Sequence, residues 1–219
     1  FKGPSYPART TLQAGLLGTG IASDLPAGLV GFLRTPSARG PAPNLQIILN
    51  AAPLDAKPYL LRGFQDGFGL RVILLRPESS GRIRLNSADP LEQPRIHQDF
   101  LQHDAEWQVL REGIRMAREI ATRPALAFAY GGARAPGSDG SDDDAELDDF
   151  IRARALTTHH PLGTCAMAAR AGDGVVDAEL RVFGTERLRV VDASVMPDMV
   201  GGNINAAVVM IAEKIADTM

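Results

Sequence analysis

One cysteine in 219 residues, Cys165, excludes an internal disulfide and any multi-cysteine metal site. Such sparing use of cysteine fits a reducing compartment, and the expected location is the cytoplasm. No uninterrupted apolar stretch approaches the ~20 residues that span a bilayer. The opening residues do not follow the basic-then-apolar pattern of a signal segment. An excess of one charge is also lacking. With 23 basic and 26 acidic residues the formal net charge is -3, which removes the electrostatic reason to expect a nucleic acid or an anionic membrane as partner. No internal repeat is visible. The first residue is Phe1 rather than methionine, and the expectation is one piece of a longer polypeptide.

What is present is the composition of a soluble globular protein, 45% hydrophobic and 22% charged, long enough for one large domain or two small ones. Residues 1–43 are rich in Gly and Pro between short apolar runs such as 28–33, a composition of loops and short strands. Residues 44–49 and 69–75 are apolar runs of strand length. Residues 81–85 alternate basic and apolar side chains, the pattern of a half-buried antiparallel strand. The clearest helix is 104–123: Trp107, Leu110, Ile114, Ala117 and Ile120 or Ala121 recur at three- and four-residue steps, Asp104 serves as N-cap and Pro124 ends it. Residues 131–145 read as an exposed acidic loop and 145–154 as a short helix with acids near its start. Farther on, 187–191 reads as a buried strand and 206–217 as a helix apolar over most of its surface.

Three segments of the last quarter carry the chemistry. The first is Thr158-His159-His160-Pro161-Leu162-Gly163-Thr164-Cys165-Ala166-Met167; the second is Leu188-Arg189-Val190-Val191-Asp192-Ala193-Ser194-Val195-Met196-Pro197; the third is Gly202-Asn203-Ile204-Asn205, followed by the apolar helix. Singly, each has an ordinary reading. A histidine beside proline in a loop is by default structural or solvated, and an asparagine ahead of a helix is a favoured N-cap. Asp192 and Ala193 read as a strand end turning into a loop at Pro197. Jointly, in this order, the segments resemble the C-terminal signature of the glucose-methanol-choline (GMC) oxidoreductases, FAD enzymes that oxidise alcohols.

The resemblance implies a catalytic pair. His160 would face the flavin and take the hydroxyl proton as hydride leaves carbon, a task suited to an imidazole that titrates near the working pH. His159 would support it beside the cofactor. Asn203, where similar proteins carry His or Asn, would orient the alcohol by hydrogen bonding, since an amide exchanges no proton at neutral pH. The helix start behind it exposes N–H groups and a partial positive charge that favour negative charge on a reduced flavin. Gly202, Ile204 and Asn205 belong to the same cofactor-contacting turn, with Gly201 and Gly202 leaving room for backbone approach. For Asn205 a buried, hydrogen-bonded amide is the equal alternative. Asp192 and Ala193 would pass the ribityl and pyrophosphate portion of FAD. Cys165 reads as a small packed hydrophobe rather than a nucleophile.

A fainter likeness extends upstream. Residues 75–90 resemble the strand pair that opens the second half of the substrate domain, and 28–35 a substrate-domain strand near the flavin. Choline dehydrogenase-like and alcohol dehydrogenase-like members are the nearer ones. Other patterns carry no site. Residues 18–23 begin like a dinucleotide fingerprint but end in Ser23 with no strong strand before them, so a glycine-rich loop is expected. His97 and His103 read as an exposed pair without further ligands, and the Asp142–Asp144 run as a solvated turn lacking the glycine and glutamate of a calcium loop. No metal is expected.

The expected fold is α+β. Residues 1–155 would form a substrate-binding domain, an antiparallel sheet with covering helices. Residues 156–219 would add a strand and a helix to an FAD-binding α/β domain. The larger part of that domain, with its glycine fingerprint, would lie in an N-terminal segment or chain of the same enzyme. The expected function is oxidation of a small-molecule alcohol with FAD as cofactor. The alternative is a non-catalytic fragment, or a lyase-like relative that binds a ligand in the same pocket without net redox chemistry.

Overall fold

Strand-length apolar runs and one amphipathic helix supply the sheet of the first unit and the layer that covers it. A computed structural model describes residues 29–50, 68–127 and 141–218, together with 13, 15–17, 130, 132 and 136. The glycine-rich stretch 18–23 lies outside the described residues, as do most of 1–28 and much of the acidic loop. The chain forms two units, Phe1–Leu74 with Trp107–Arg154, and Leu75–Glu106 with Ala155–Met219. Residues 75–106 group with the C-terminal segment in the second unit.

In the first unit β1 (Leu29–Leu33), β2 (Leu45–Asn50) and β3 (Gly69–Leu74) make an antiparallel sheet in that order. Leu33 faces Leu45, and Leu45 faces Leu74, so the large aliphatics of three strands fall in register. Central β2 is the most buried, with Leu45 at 0% exposure. Helix α1 (Asp104–Ala121) covers the sheet. Its Val109 and Ala117 join Leu45 and Ile47 in one core, with Val72, Met116 and Ile120 packed around it. This face turns slightly from the expected one: Val109, Ile114 and Ala117 are buried while Trp107 and Leu110 are half-buried. Gly113 sets how close the layers come, since a Cβ there would stand 2.6 Å from Cγ1 of Val72 and 2.9 Å from Cδ1 of Leu45. Asp104 is the first helical residue rather than the cap before it.

Helix α2 (Asp144–Arg154) buries Leu147 and Ile151, and the Asp143 carboxylate caps it by accepting the amides of Ala145 and Glu146 at 2.9 and 3.3 Å. The acidic run is exposed, as expected, but its carboxylates are paired rather than merely solvated. Asp142 pairs with Arg118, Asp144 with Arg115 at 2.5 Å, and Asp148 with Arg111 at 3.1 Å, so α1 presents a stripe of arginines to them. The Arg115 hydrogen bond, with Arg111 beside it, holds Asp144 below the ordinary aspartate range. Glu112, on the same helix, ties the β1–β2 connection down. Its Oε2 accepts the Ser37 hydroxyl at 2.7 Å and the Ser37 amide at 3.1 Å, while Asn44 and buried Thr35 bond to each other across the turn at 3.0 Å.

In the second unit β4 (Arg82–Arg84) and β5 (Arg95–His97) pair antiparallel. The pairing matches the sequence expectation, but the burial does not. Ile83 and Ile96 face one another at 53% and 64% exposure, because no other element among the described residues covers the ribbon. The expected buried strand at 187–191 is also absent. Arg187 takes a left-handed φ of 60°, Leu188 is half exposed, and the stretch makes a single bridge, Arg189 to Arg181, with the Val190 amide on the Leu180 carbonyl at 3.1 Å. The positive φ turns the chain out of extended geometry before a ladder can form. A small core gathers Val176, Leu180, Val195 and Ile215, the last from helix α3 (Asn205–Ala216).

Candidate active site

The three motif segments all lie in the second unit. The His159 amide donates to the Thr157 hydroxyl at 3.0 Å, and His159 then adopts φ of 63°, a conformation unusual for a residue with a Cβ. That kink aims the chain so that His159 is exposed and His160 half-buried. Gly163, at φ of 86°, makes the next turn and closes it with the Ala166 amide on its carbonyl at 3.2 Å.

Beyond the turn the segment is stitched to the second motif. The Cys165 amide donates to the Ser194 carbonyl and the Met167 amide to the Val195 carbonyl, both at 2.9 Å. The receiving residues form a short 3-10 helix, Ala193–Val195, that Asp192 caps by accepting the Ser194 amide at 2.8 Å. Asp192 is exposed and Ala193 half-buried, whereas Val195 and Met196 behind them are at 0% and 4% exposure. The buried pair anchors the turn, and the exposed carboxylate spends one oxygen on its own backbone.

The third motif follows. Gly202 donates its amide to the Val200 carbonyl at 2.8 Å, Asn203 is exposed, and Ile204 is buried at 8%. Ile204, not Asn203, occupies the N-cap of α3, and it offers no side-chain acceptor to the first-turn amides. Asn203 therefore stands one residue before the N-cap of α3. Asn205 is the first helical residue and is exposed, so its amide is not the buried one allowed for in the sequence reading. The first turn of α3 holds no acidic side chain, which leaves its partial positive charge uncompensated locally.

One neighbour of this turn falls in the 75–90 stretch but had no role assigned to it from the sequence. Nη2 of Arg76 lies 2.7 Å from where a Cβ on Gly201 would stand. Arg76 belongs to no periodic pattern and is separated from Gly201 by most of the chain, so only the folded geometry reveals it. Separately, the cationic face of the β4–β5 ribbon frames a concave surface of about 550 Å³ lined by Arg82, Arg84, Arg95 and His97, with no residue of the three motifs among its lining. Among the described residues no three His, Cys, Asp or Glu side chains gather as a metal site, and Cys165 is a free, half-buried thiol. No described helix is long and apolar enough to cross a membrane.

The GMC oxidoreductase family model matches residues 77–212, a span that includes all three motifs. An oxygen-dependent choline dehydrogenase from Pseudomonas aeruginosa (strain UCBPP-PA14) is 42% identical over 201 residues, which cover 91% of this chain and 35% of that protein. Among solved structures, pyridoxine 4-oxidase from Mesorbium loti superposes with a TM-score of 0.75 at 33% identity over 86% of this chain and 37% of that one. A formate oxidase variant from Aspergillus oryzae RIB40, studied for modification of its FAD, reaches a TM-score of 0.83 at 27% identity over 99% of this chain and 42% of that one. The chain thus spans about a third of the length of the curated relatives it matches.

Proposed function

Since the chain belongs to the GMC oxidoreductase family, we propose that it forms the C-terminal part of an FAD-dependent enzyme that oxidises a small alcohol, with His160 as the base and Asn203 as its hydrogen-bonding partner. The observation that carries this reading is the pair of hydrogen bonds from Cys165 and Met167 to Ser194 and Val195, which brings the histidine segment and the Asp192 turn into one unit. Its coverage of about a third of its relatives supports a companion polypeptide part that grips the remainder of the cofactor. A location in the cytoplasm is part of the same proposal.

The residues present fit a flavin. The α3 start has no side-chain cap and no acid in its first turn, and Gly201 and Gly202 before it carry no side chains to obstruct a planar ring. Exposed first-turn amides favour negative charge. Asn203, Gly202, Ile204 and Asn205 would hold the ring edge, His159 would flank it, and Asp192 and Ala193 would face the ribityl chain. When bound, FAD supplies a hydride acceptor.

The protein's own task is then proton and position. His160, half-buried beyond the strained His159, accepts the hydroxyl proton through a ring nitrogen. Asn203 donates an N–H to the same oxygen and fixes the alcohol so that its C–H points away from the pair. Residues 156–219 would complete the cofactor side of the site. Purified with its flavin-binding part, the protein should be yellow, and a panel of primary and secondary alcohols, choline among them, should bleach it under anaerobic conditions. A yellow protein that dithionite bleaches and no alcohol does would replace this reading with binding without net redox chemistry.

A further inference from the structure

Arg76 sits between two fixed points. Leu75 before it is 4% exposed. Two and three residues after it, the amides of Glu78 and Ser79 both donate to Oε1 of Glu106 at 2.8 Å, and the Ser79 hydroxyl donates to Oε2 of the same carboxylate. That hydroxyl oxygen in turn accepts the Gln102 amide at 2.7 Å. Glu106 is only 3% exposed. A carboxylate this buried is stable only while its donors are in place, so releasing the loop would strand a charge away from water. The backbone on either side of Arg76 is therefore held firmly, and what extends outward is the side chain.

It extends to the turn that presents Asn203. The guanidinium nitrogen Nη2 is 2.7 Å, and the guanidinium carbon 3.5 Å, from the place of a Gly201 Cβ. The guanidinium therefore lies against the Gly201 backbone, in a turn closed by Gly202 on Val200. Two successive glycines have the greatest backbone freedom of any pair, and nothing in their own side chains restrains it. A planar cation laid on that backbone does.

We propose that Arg76 is a positioning residue for the catalytic turn: packed on Gly201, its guanidinium restricts the Gly201-Gly202-Asn203 backbone and so fixes where the Asn203 amide points. Glu106 anchors the loop from which Arg76 reaches, and a Cβ at Gly201 would displace the guanidinium. The cation also adds positive charge to the turn that precedes α3. A rigid, planar group with fixed donors suits this contact better than the flexible ammonium of lysine. This inference rests on the catalytic role given above to Asn203.

The test uses the flavin-loaded enzyme with Arg76→Ala, Arg76→Lys and Gly201→Ala. Anaerobic stopped-flow separates the limiting rate of flavin reduction from the Kd of the alcohol, and hydrogen exchange by mass spectrometry follows the peptide spanning 198–206. Arg76→Ala should lower the limiting rate roughly 10–100-fold, the scale of a small misplacement of a reacting group, while Kd stays within about threefold. Exchange across 198–206 should quicken. Arg76→Lys should fall between parent and Arg76→Ala in both readouts, and it carries the test if Arg76→Ala does not fold. Gly201→Ala, by displacing the guanidinium, should move both in the same direction as Arg76→Ala. A parental limiting rate, or unchanged exchange in 198–206, overturns the proposal. If the parent enzyme is not reduced by any alcohol, the functional reading fails by itself and exchange alone decides whether Arg76 restrains the turn.

Discussion

The Cys165 amide donates to the Ser194 carbonyl at 2.9 Å, joining two motifs that the chain holds 29 residues apart (194 − 165). Two residues along, Met167 repeats the contact on Val195. Main-chain bonds of this kind do not depend on the cysteine side chain, which is consistent with a packed thiol rather than a reacting one. They do make the position of His160 depend on the turn that Asp192 caps.

His160→Ala in the flavin-loaded enzyme should slow flavin reduction by alcohol about 10²–10⁴-fold, the usual worth of a positioned general base. FAD content and melting temperature should change little, because His160 belongs to neither core cluster. Anaerobic stopped-flow measures this directly. A rate within threefold of the parent removes His160 from the mechanism.

Asn203 stands outside α3, with Ile204 at the cap. Asn203→Leu is expected to leave the thermal midpoint close to the parental one while costing on the order of 1–3 kcal/mol in the reduction step, through an unpaired substrate oxygen or flavin carbonyl. Asn203→His should retain measurable activity, since an imidazole can donate the same hydrogen bond. Parental reduction rates across pH in Asn203→Leu would leave Asn203 with no catalytic part.

Glu112 gives the first unit a pH dependence of known sign. Burial disfavours its carboxylate, but hydrogen bonds from the Ser37 hydroxyl and amide, with Thr35 and Gln108 adding to them, outweigh that and hold it below the ordinary glutamate range. A folded value below the unfolded one means the contribution is whole above the ordinary range of about pH 4–5 and is lost as pH falls through the lowered value. Urea unfolding at several pH values should show Glu112→Gln flatter than the parent below about pH 5. Identical pH profiles for the two proteins would show that the Ser37 contact contributes nothing to folding.

Gly113→Ala sets two effects against each other. Alanine is better than glycine in a helix interior by roughly 1 kcal/mol. Against this, its Cβ would press on Val72 and on Leu45, which is fully buried and has little room to yield. Overpacking of this kind costs roughly 1–3 kcal/mol, so the net change in denaturant midpoint should be a loss. A gain in stability would mean that α1 can lift off the sheet without penalty.

The sequence by itself determined those features whose physics is local. The three- and four-residue steps of 104–123 become α1, and the apolar runs at 44–49 and 69–75 become β2 and β3, because periodicity and turn residues act over a few positions. The order of the three motifs likewise marked the family before any fold was at hand. Only the tertiary structure decided what depends on partners distant in the chain. Alternation at 81–85 predicts a strand but not its burial, which requires something to cover Ile83. The ion-pair partners of the acids at 142, 144 and 148 are the arginines of α1, 24 to 37 residues earlier, which no local pattern names. The left-handed backbone of Arg187 cancels a strand that its side chains favour. Arg76 meets Gly201 only because a buried carboxylate holds one loop and two glycines shape the other, and no local pattern encodes a contact between them.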